Sequence, residues 1–580
     1  MFGRVLIANR GEVAVRIIRA CRELGAEAVA VYSTADRDSL HVRLADRAVH
    51  IGPPLPADSY LRIPSLVAAA TTTECDAVHP GWGFLAENAA FALACEDNDL
   101  VFVGPRAETI ETMGDKIAAK EAMAEAGVPL VPGSDGAVDL DQAREVARDV
   151  GFPILLKASA GGGGRGMRLV ESVDELDGAY RTASSEAQSA FGDGSLYVEK
   201  AVVGARHVEI QVLGDGEGAV LTLGERDCSI QRRHQKLVEE TPSPAVDEAL
   251  RERIGEIAVS AARAAGYRSA GTIEGLLTAQ GEYFFMEMNT RIQVEHTVTE
   301  MVTGLDLVRE QILVALGEPL SMRQDDIELR GHAIECRINA EDAAAGFLPA
   351  PARVTAYSEP SGPGVRVDSG VAAGNEVSGA YDPMIAKLIV HGVDREHARK
   401  RMLRALDEFV IVGPKTLIGF HKALLSHDCF VRAETCDGLV ESDEMRERAA
   451  AMEPQASPAP ALKQAPVVAV PRVVEVNGKR FTVRMHEPEQ PWREVARRRA
   501  ERVRAGGAGG GDEVVSPMQG TVLSVAVAEG DAVEAGAVIC IVEAMKMENE
   551  VRAHRGGVVA ELGVSAGDSV GNGQAICRIE

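Results

Sequence analysis

Lysine is scarce in this chain of 580 residues: 12 lysines stand against 49 arginines. Guanidinium groups carry most of the positive charge, so a lysine inside a patterned segment needs a chemical reason. Positive charge as a whole is in deficit, 61 basic against 87 acidic side chains for a net −26. That balance excludes nucleic acid or an anionic membrane as a general partner, and anionic ligands must find local basic pockets. The nine cysteines contain no Cys-x-x-Cys pair, so no zinc or redox motif is legible, and their scatter predicts reduced thiols in a cytoplasmic protein. Long apolar runs are missing as well, and the N-terminus enters strand-like Val5–Ala8 without a leader, so no membrane segment is expected. The turn Asn9-Arg10-Gly11-Glu12 lacks G-x-G-x-x-G, which leaves dinucleotide binding unsupported.

What is present begins with alternation. Residues 1–446 interleave short apolar strands with amphipathic helices, as in an α/β enzyme. Ala449–Pro471 is rich in Ala and Pro and reads as a stiff linker. Val473–Val483 then places Asn477-Gly478 between two alternating runs, a strong hairpin signal. Trp492–Arg504 carries six arginines and two glutamates on a helix-like stretch, as fitting for a solvated helix as for a docking surface, and Gly506–Gly511 is a flexible joint. Residues 513–580 hold an internal quasi-repeat, Gly530–Gly536 recurring as Gly567–Gly573, which suits a small flattened β sandwich. Lys546, flanked by Met545 and Met547, falls between two of its apolar runs, where a hairpin tip would display it for modification.

Two patterns carry catalysis. Lys157-Ala158-Ser159-Ala160 leads into Gly161-Gly162-Gly163-Gly164, whose backbone N–H groups could approach phosphate oxygens without Cβ interference while strand Ile154–Leu156 aims Lys157 at the same charge. A glycine run alone is weak evidence, since a flexible loop can also use one. The second pattern comes from strand geometry: Glu287, Asn289, Arg291, Gln293 and Glu295 occupy every second position, so an extended chain presents all five on one face. If Gln280-Gly281 is a two-residue hairpin turn, Glu274 sits opposite Glu287. Opposed carboxylates repel unless a cation lies between them, and with Asn289 the all-oxygen set Glu274, Glu287, Asn289 suits Mg²⁺ or Mn²⁺ bridging nucleotide phosphates.

These stretches resemble the biotin carboxylase family of the ATP-grasp fold over residues 1–446, through His79-Pro80-Gly81-Trp82-Gly83-Phe84, Met113-Gly114-Asp115-Lys116, the glycine loop, His207–Val212, Glu225–Lys236, Glu287–Glu295 and His332–Asn339. The last 68 residues resemble a biotin carboxyl carrier (biotinyl) domain, in which Lys546 matches the biotinylated lysine. The resemblance implies a multidomain α/β fold. It has a Rossmann-like N-terminal domain (1–114), an ATP-grasp domain (115–330, lid about 131–205) and a C-terminal α+β domain (331–446). A linker with a small hairpin and basic helix (447–511) leads to an all-β biotinyl sandwich (512–580).

It further implies that Lys116, Lys157, Gly162, Gly163, Gly164 and His207 contact ATP phosphates, that Glu199 with its neighbours holds the adenine, and that Leu276, His234 and Lys236 line the nucleotide site. Arg291, Gln293 and the Val294 backbone would bind bicarbonate, with Glu295 as its general base. Arg337 would stabilise the biotin ureido oxygen beside Trp82 and Gly83. Three departures from the family pattern stand out: Ala160 for a glycine, Trp82 for a frequent tyrosine, and Met518-Gln519-Gly520 for Met-Pro-Gly. None removes a charged group. The implied chemistry is ATP- and bicarbonate-dependent carboxylation of biotin on Lys546, through carboxyphosphate. Its implied setting is the α subunit of an acyl-CoA carboxylase (acetyl- or propionyl-CoA type, as in fatty acid biosynthesis). The partners would be a separate carboxyltransferase β subunit in a hetero-oligomer and a biotin protein ligase. The alternatives are a non-enzymatic biotinylated scaffold and the equivalent component of a two-part pyruvate carboxylase.

Overall fold

The computed structural model describes residues 2–159, 167–453, 467–477, 479–488, 512–544 and 547–580. Two compact units divide the chain, Met1–Ser457 and Pro458–Glu580.

The first unit opens as a sheet ordered Arg47–Gly52, Glu27–Ser33, Arg4–Ile7, Ala77–His79, Val101–Phe102. Every pairing in it is parallel, which demands cover on both faces, and Val5, Leu6 and Ile7 are correspondingly buried. Helix Gly11–Glu23 packs Val13, Ile17 and Ile18 against this sheet. The strand order reverses around Arg4–Ile7, and ligand clefts form outside the carboxyl ends of strands at such switch points.

Eight antiparallel strands form the central sheet, in the order Tyr283–Asn289, Arg268–Leu277, Arg206–Asp215, Val220–Arg232, Gln235–Thr241, His332–Asn339, Met384–Gly392, Val365–Ser369. It crosses the expected boundary at 330/331 without a break, because Val238 pairs with Cys336 and Ile230, Leu237, Ile334 and Ile338 share one core. Within the expected lid, strands Met167–Val170, Ile154–Ala158 and Leu196–Lys200 pair antiparallel. Helix Leu140–Val150, started by an Asp139/Gln142 capping box, contributes Ala143 and Ala147 to the lid's small core.

The second unit contains a hairpin, Val467–Val476 with Lys479–Pro488, in which Val476 faces Lys479. Asn477 adopts the left-handed φ of 51° that a two-residue turn needs. The hairpin is longer than the alternating run suggested, and Ala449 is buried in helix Asp443–Met452, so both ends of the expected linker Ala449–Pro471 belong to regular structure. The basic stretch Trp492–Arg504 lies outside the described residues. The sandwich follows as two four-stranded sheets around a core of Val522, Ile539, Val542, Val559 and Ile576. Its two repeats share turn chemistry: Asp531 accepts from Ala528 N at 2.8 Å and Asp568 from Ser565 N at 2.7 Å.

One expectation is overturned here. Cys429 and Cys436 are joined in a disulfide with Cα atoms 5.7 Å apart. Helix Asp428–Val431 and the turn behind it fold the chain back on itself within a few residues, a proximity that scattered spacing does not reveal. The other seven cysteines are free and buried. No helix among the described residues is long and apolar enough to cross a membrane.

Candidate active site

The site is built on the edge hairpin of the central sheet. Glu274 does sit opposite Glu287, and Thr272 opposite Asn289, yet not through a two-residue turn. Thr278 N donates to Glu282 O at 2.9 Å, so the loop spans Ala279-Gln280-Gly281, with Gly281 at φ 81° supplying the left-handed residue of a three-residue turn. That turn pairs Gly275 with Phe285, and a register shift between Gly275 and Glu274 restores the Glu274–Glu287 pair. Turn and bulge offset each other.

The extended face predicted through Glu295 also ends early. The strand stops at Asn289, and residues 290–295 turn into helix His296–Thr303. Convergence there is tertiary. Gln293 Nε2 donates to Glu274 Oε1 at 2.6 Å. Arg291 turns to Glu87, donating to Oε2 at 2.8 Å, and to Asn289 Oδ1 at 2.9 Å.

Lys236 is the hub. Its ammonium donates to Glu209 Oε2 at 2.6 Å, Glu274 Oε1 at 2.8 Å and Glu295 Oε1 at 2.6 Å, three donors to three carboxylates. Burial opposes its charge, but the three carboxylates outweigh burial and hold it well above the usual lysine range. The other Glu295 oxygen accepts from Arg337 Nη2 at 2.9 Å, and Arg337 Nε donates to Glu239 at 2.5 Å. Burial works against ionisation of Glu295 while Lys236, Arg337 and Arg226 favour it, leaving its carboxyl down at about 2. Glu239, buried and hydrogen-bonded by Arg337, is pushed up to about 7 by burial. His207 Nε2 lies 3.1 Å from Glu274 Oε2; burial disfavours its charge, yet Glu274 and Glu209 raise it to about 9. Burial also opposes Glu274, but Lys236 and His207 hold its carboxyl well below the usual range. Glu287 is exposed on the strand edge, yet surrounding protein atoms together with the Glu274 charge push its carboxyl up.

Other expected residues stand apart from this cluster. Lys157 and Lys120 both ion-pair with Glu199, and these two cations overcome burial to lower its carboxyl. Burial lowers Lys116. His234 is exposed at φ 66° on the turn between Arg232 and Gln235. Leu276 lies half-buried opposite His207. Trp82 and Gly83 border a cavity of about 510 Å³, shared with Asn9, Glu12, Phe84 and Tyr381, at the switch point of the parallel sheet. Trp82 Nε1 donates to Glu12 at 3.2 Å, and buried Lys387, 3.3 Å from Glu12, donates to the Val294 carbonyl at 2.8 Å. Gly162, Gly163, Gly164 and Lys546 lie outside the described residues.

Several residues of the site carried no assignment in the sequence. Arg226 is fully buried and donates to Glu209, Gln211, Thr272, Gln293 and Thr299, orienting Gln293 from behind. Glu209, Glu87, Lys120 and Lys387 complete the set. A signal existed for two of them: Lys120 and Lys387 are among the few lysines of the chain.

Opposed Glu274 and Glu287 with the Asn289 amide form an oxygen donor set that fits a hard dication such as Mg²⁺. The groups His207–Glu209–Glu274 and Glu209–Cys228–Glu295 also bring ligand atoms together, but Lys236 already compensates their carboxylates and a protonated His207 does not ligate.

A parallel-sheet domain, a three-stranded lid and an antiparallel sheet bearing paired carboxylates define the class as an ATP-grasp ligase fold. The comparisons narrow it. Residues 1–110 match the biotin carboxylase N-terminal domain, 115–323 the carbamoyl-phosphate synthase L chain ATP-binding domain, 335–442 the biotin carboxylase C-terminal domain and 512–579 the biotin-requiring enzyme domain. The biotin carboxylase of Nostoc sp. is 55% identical over 441 residues, 76% of this chain and 99% of the relative. A pyruvate carboxylase subunit from Methanothermobacter thermautotrophicus is 53% identical over 435 residues, 75% of this chain and 88% of the relative. Among solved structures, the biotin carboxylase beta-gamma-ATP complex of Campylobacter jejuni aligns with TM-score 0.73 and 47% identity, covering 75% of this chain and 98% of that one. The biotin carboxylase domain of Hydrogenobacter thermophilus 2-oxoglutarate carboxylase, with MgADP, ADP and bicarbonate, gives TM-score 0.73 and 47% identity over 77% of this chain and 99% of that one. The chain belongs to the biotin carboxylase family, with a biotin-requiring domain at its C-terminal end.

Proposed function

We propose that this chain catalyses ATP- and bicarbonate-dependent carboxylation of biotin carried on Lys546, the first half-reaction of an acyl-CoA carboxylase. The observation that carries the reading is Glu295 held between Lys236 and Arg337, one cation on each carboxylate oxygen. Mg²⁺, or Mn²⁺ on the same oxygen set, would be held by Glu274, Glu287 and Asn289 and supplies neutralisation at the phosphates, as biotin supplies the ureido nitrogen that takes up the carboxyl group. Lys116, Lys157 and His207 bring positive charge to the phosphates, while Glu199, Leu276 and His234 border the nucleotide. Arg291, Gln293 and Val294 orient bicarbonate.

A carboxyl group lowered to about 2 is ionised but weakly basic, so it abstracts a proton effectively only after a cation leaves it. Arg337 is the cation that can turn to substrate, because Lys236 is tied to two further carboxylates. Bicarbonate, losing its proton to Glu295, then attacks the γ-phosphorus; the new O–P bond forms as the β,γ-bridging bond breaks and ADP departs. Carboxyphosphate gives CO₂ and phosphate by breaking its C–O bond, that phosphate takes up the N1 proton, and Arg337 would hold the ureido oxygen of bound biotin against the negative charge there. Glu295→Ala should therefore abolish bicarbonate-dependent ATP hydrolysis, while Arg337→Ala should leave hydrolysis but uncouple it from carboxylation of free biotin. Identical defects in an assay of phosphate release and ¹⁴C-bicarbonate fixation would overturn the assignment.

Transfer onward belongs to a carboxyltransferase partner in this reading, with a biotin protein ligase loading Lys546 and the hairpin 467–488 as a docking candidate. A second reading, the equivalent component of a two-part pyruvate carboxylase, is favoured by the similarity to the Methanothermobacter protein. Mass spectrometry of the co-purifying partner separates the two.

A further inference from the structure

The disulfide Cys429–Cys436 has no part in the chemistry above, yet the loop it closes is fastened to the elements that carry the site. The Ala433 carbonyl accepts from Arg206, next in chain to His207 and opposite Leu277 in the sheet. Arg206 is also held by Asp227 at 3.0 Å. Phe430 O accepts from Arg395 Nη1 at 2.8 Å, and Arg395 grips Glu240 with Nε at 2.7 Å and Nη2 at 3.0 Å. Further along, Glu441 lies 3.3 Å from Arg232 and 3.4 Å from Arg233, the residues leading into His234.

The same loop is held in a conformation its residues disfavour. Ala433, at φ 60°, caps helix Asp428–Val431, with Ala433 N donating to Phe430 O and Glu434 N to Cys429 O at 3.0 Å each, whereas Cys436, at φ 56°, is left-handed without glycine and is itself one end of the covalent closure. Such residues persist only where the surroundings over-determine them, and a covalent closure is one such constraint. Breaking it would free Cys436 to relax toward right-handed backbone and loosen the turn that holds the Ala433 carbonyl on Arg206. Cys429 and Cys436 are 8% and 6% exposed, so exchange proceeds through local opening, for which the largely exposed turn at Arg432–Glu434 offers a route.

We propose that Cys429 and Cys436 are a thiol–disulfide modification site whose oxidised form tightens nucleotide binding, by holding Arg206 and hence the His207–Leu276 end of the site. The inference rests on the functional reading above for the position of the nucleotide. The oxidant is a small-molecule disulfide such as oxidised glutathione. One cysteine thiolate attacks it, forming a mixed disulfide and releasing one glutathione thiol. The second cysteine then displaces the other glutathione, so one S–S bond breaks, one forms, and two protein thiol protons end on two glutathione thiols.

The test uses the full chain equilibrated in glutathione buffers of defined ratio, then alkylated for intact-mass and peptide-map analysis, with MgADP titrated calorimetrically in parallel. Expected is loss of two alkylation sites together, both on the peptides bearing Cys429 and Cys436, and MgADP affinity about fivefold or more higher in the oxidised form. Cys429→Ser and Cys436→Ser should each remove the redox response and bind MgADP like the reduced wild-type chain. The inference is overturned if the pair stays alkylatable at every ratio, if MgADP affinity is equal in the two forms, or if the serine variants still respond. Absence of MgADP binding in both forms would instead sink the functional reading, and the switch with it, while the mass data still report whether the bond forms.

Discussion

Lys236 joins three carboxylates of the site. A buried ammonium facing Glu209, Glu274 and Glu295 is compensated three times over, and removing it leaves those carboxylates crowded together without a counter-charge. Lys236→Met should cost about 3–5 kcal/mol of stability, read from urea unfolding, together with all bicarbonate-dependent ATPase activity. His207 gives the pH dependence. Its folded value of about 9 lies above the ordinary 6.5, so its stabilisation is whole below 6.5 and drains away as pH rises through 9. Glu295 has the opposite sign: its contribution is whole above the ordinary 4.5 and disappears as pH falls through about 2. His207→Gln should flatten the alkaline limb between pH 6.5 and 9, an effect on the order of 3 kcal/mol across that window, measured by denaturant melts at fixed pH.

At the scale of elements, the edge hairpin is held in register from behind. A Cβ built on Gly275 would lie 2.3 Å from the Tyr283 ring, whose hydroxyl donates to Val208 O and Ile273 O at 3.3 Å each. Gly275→Ala must displace that ring at the point where the bulge resets Glu274 against Glu287. It should destabilise by about 1–3 kcal/mol, with turnover falling in step. In a Tyr283→Ala background the same substitution should be nearly neutral, and a double-mutant cycle measures the coupling. Additive effects would refute the contact. Much of this element was legible: alternation of Glu287 and Asn289 and the Gln280-Gly281 turn signal were enough to oppose Glu274 and Glu287. The three-residue turn and compensating bulge were not, because a register shift leaves no mark in a periodicity of two. Nor was the end of the strand at Asn289, since Arg291, Gln293 and Glu295 keep the alternation while helix His296–Thr303 and their distant partners bend the chain away.

For the molecule as a whole, the biotin carboxylase domains and the biotin-requiring domain fall on separate units, residues Met1–Ser457 and Pro458–Glu580. Lys546→Arg retains charge but removes the primary amine proposed to accept biotin. The variant should keep the melting temperature of the parent, lose streptavidin reactivity and still carboxylate free biotin at the parental rate. Retained streptavidin binding would refute Lys546 as the attachment point.

The amino-acid sequence alone determined what depends on neighbours in the chain: the strand–helix alternation of residues 1–446, the Asn477-Gly478 hairpin, the quasi-repeat and the lysine between two methionines. Tertiary structure decided which charges meet. Lys236 and Glu295 are 59 positions apart and Arg337 and Glu239 are 98 apart. The Cys429–Cys436 bond likewise depends on a fold-back between helix and turn rather than on spacing. Local geometry repeats with the period of a strand or a helix and so is written in the order of residues, whereas an ion pair forms only when separate strands are brought side by side and water is excluded between them.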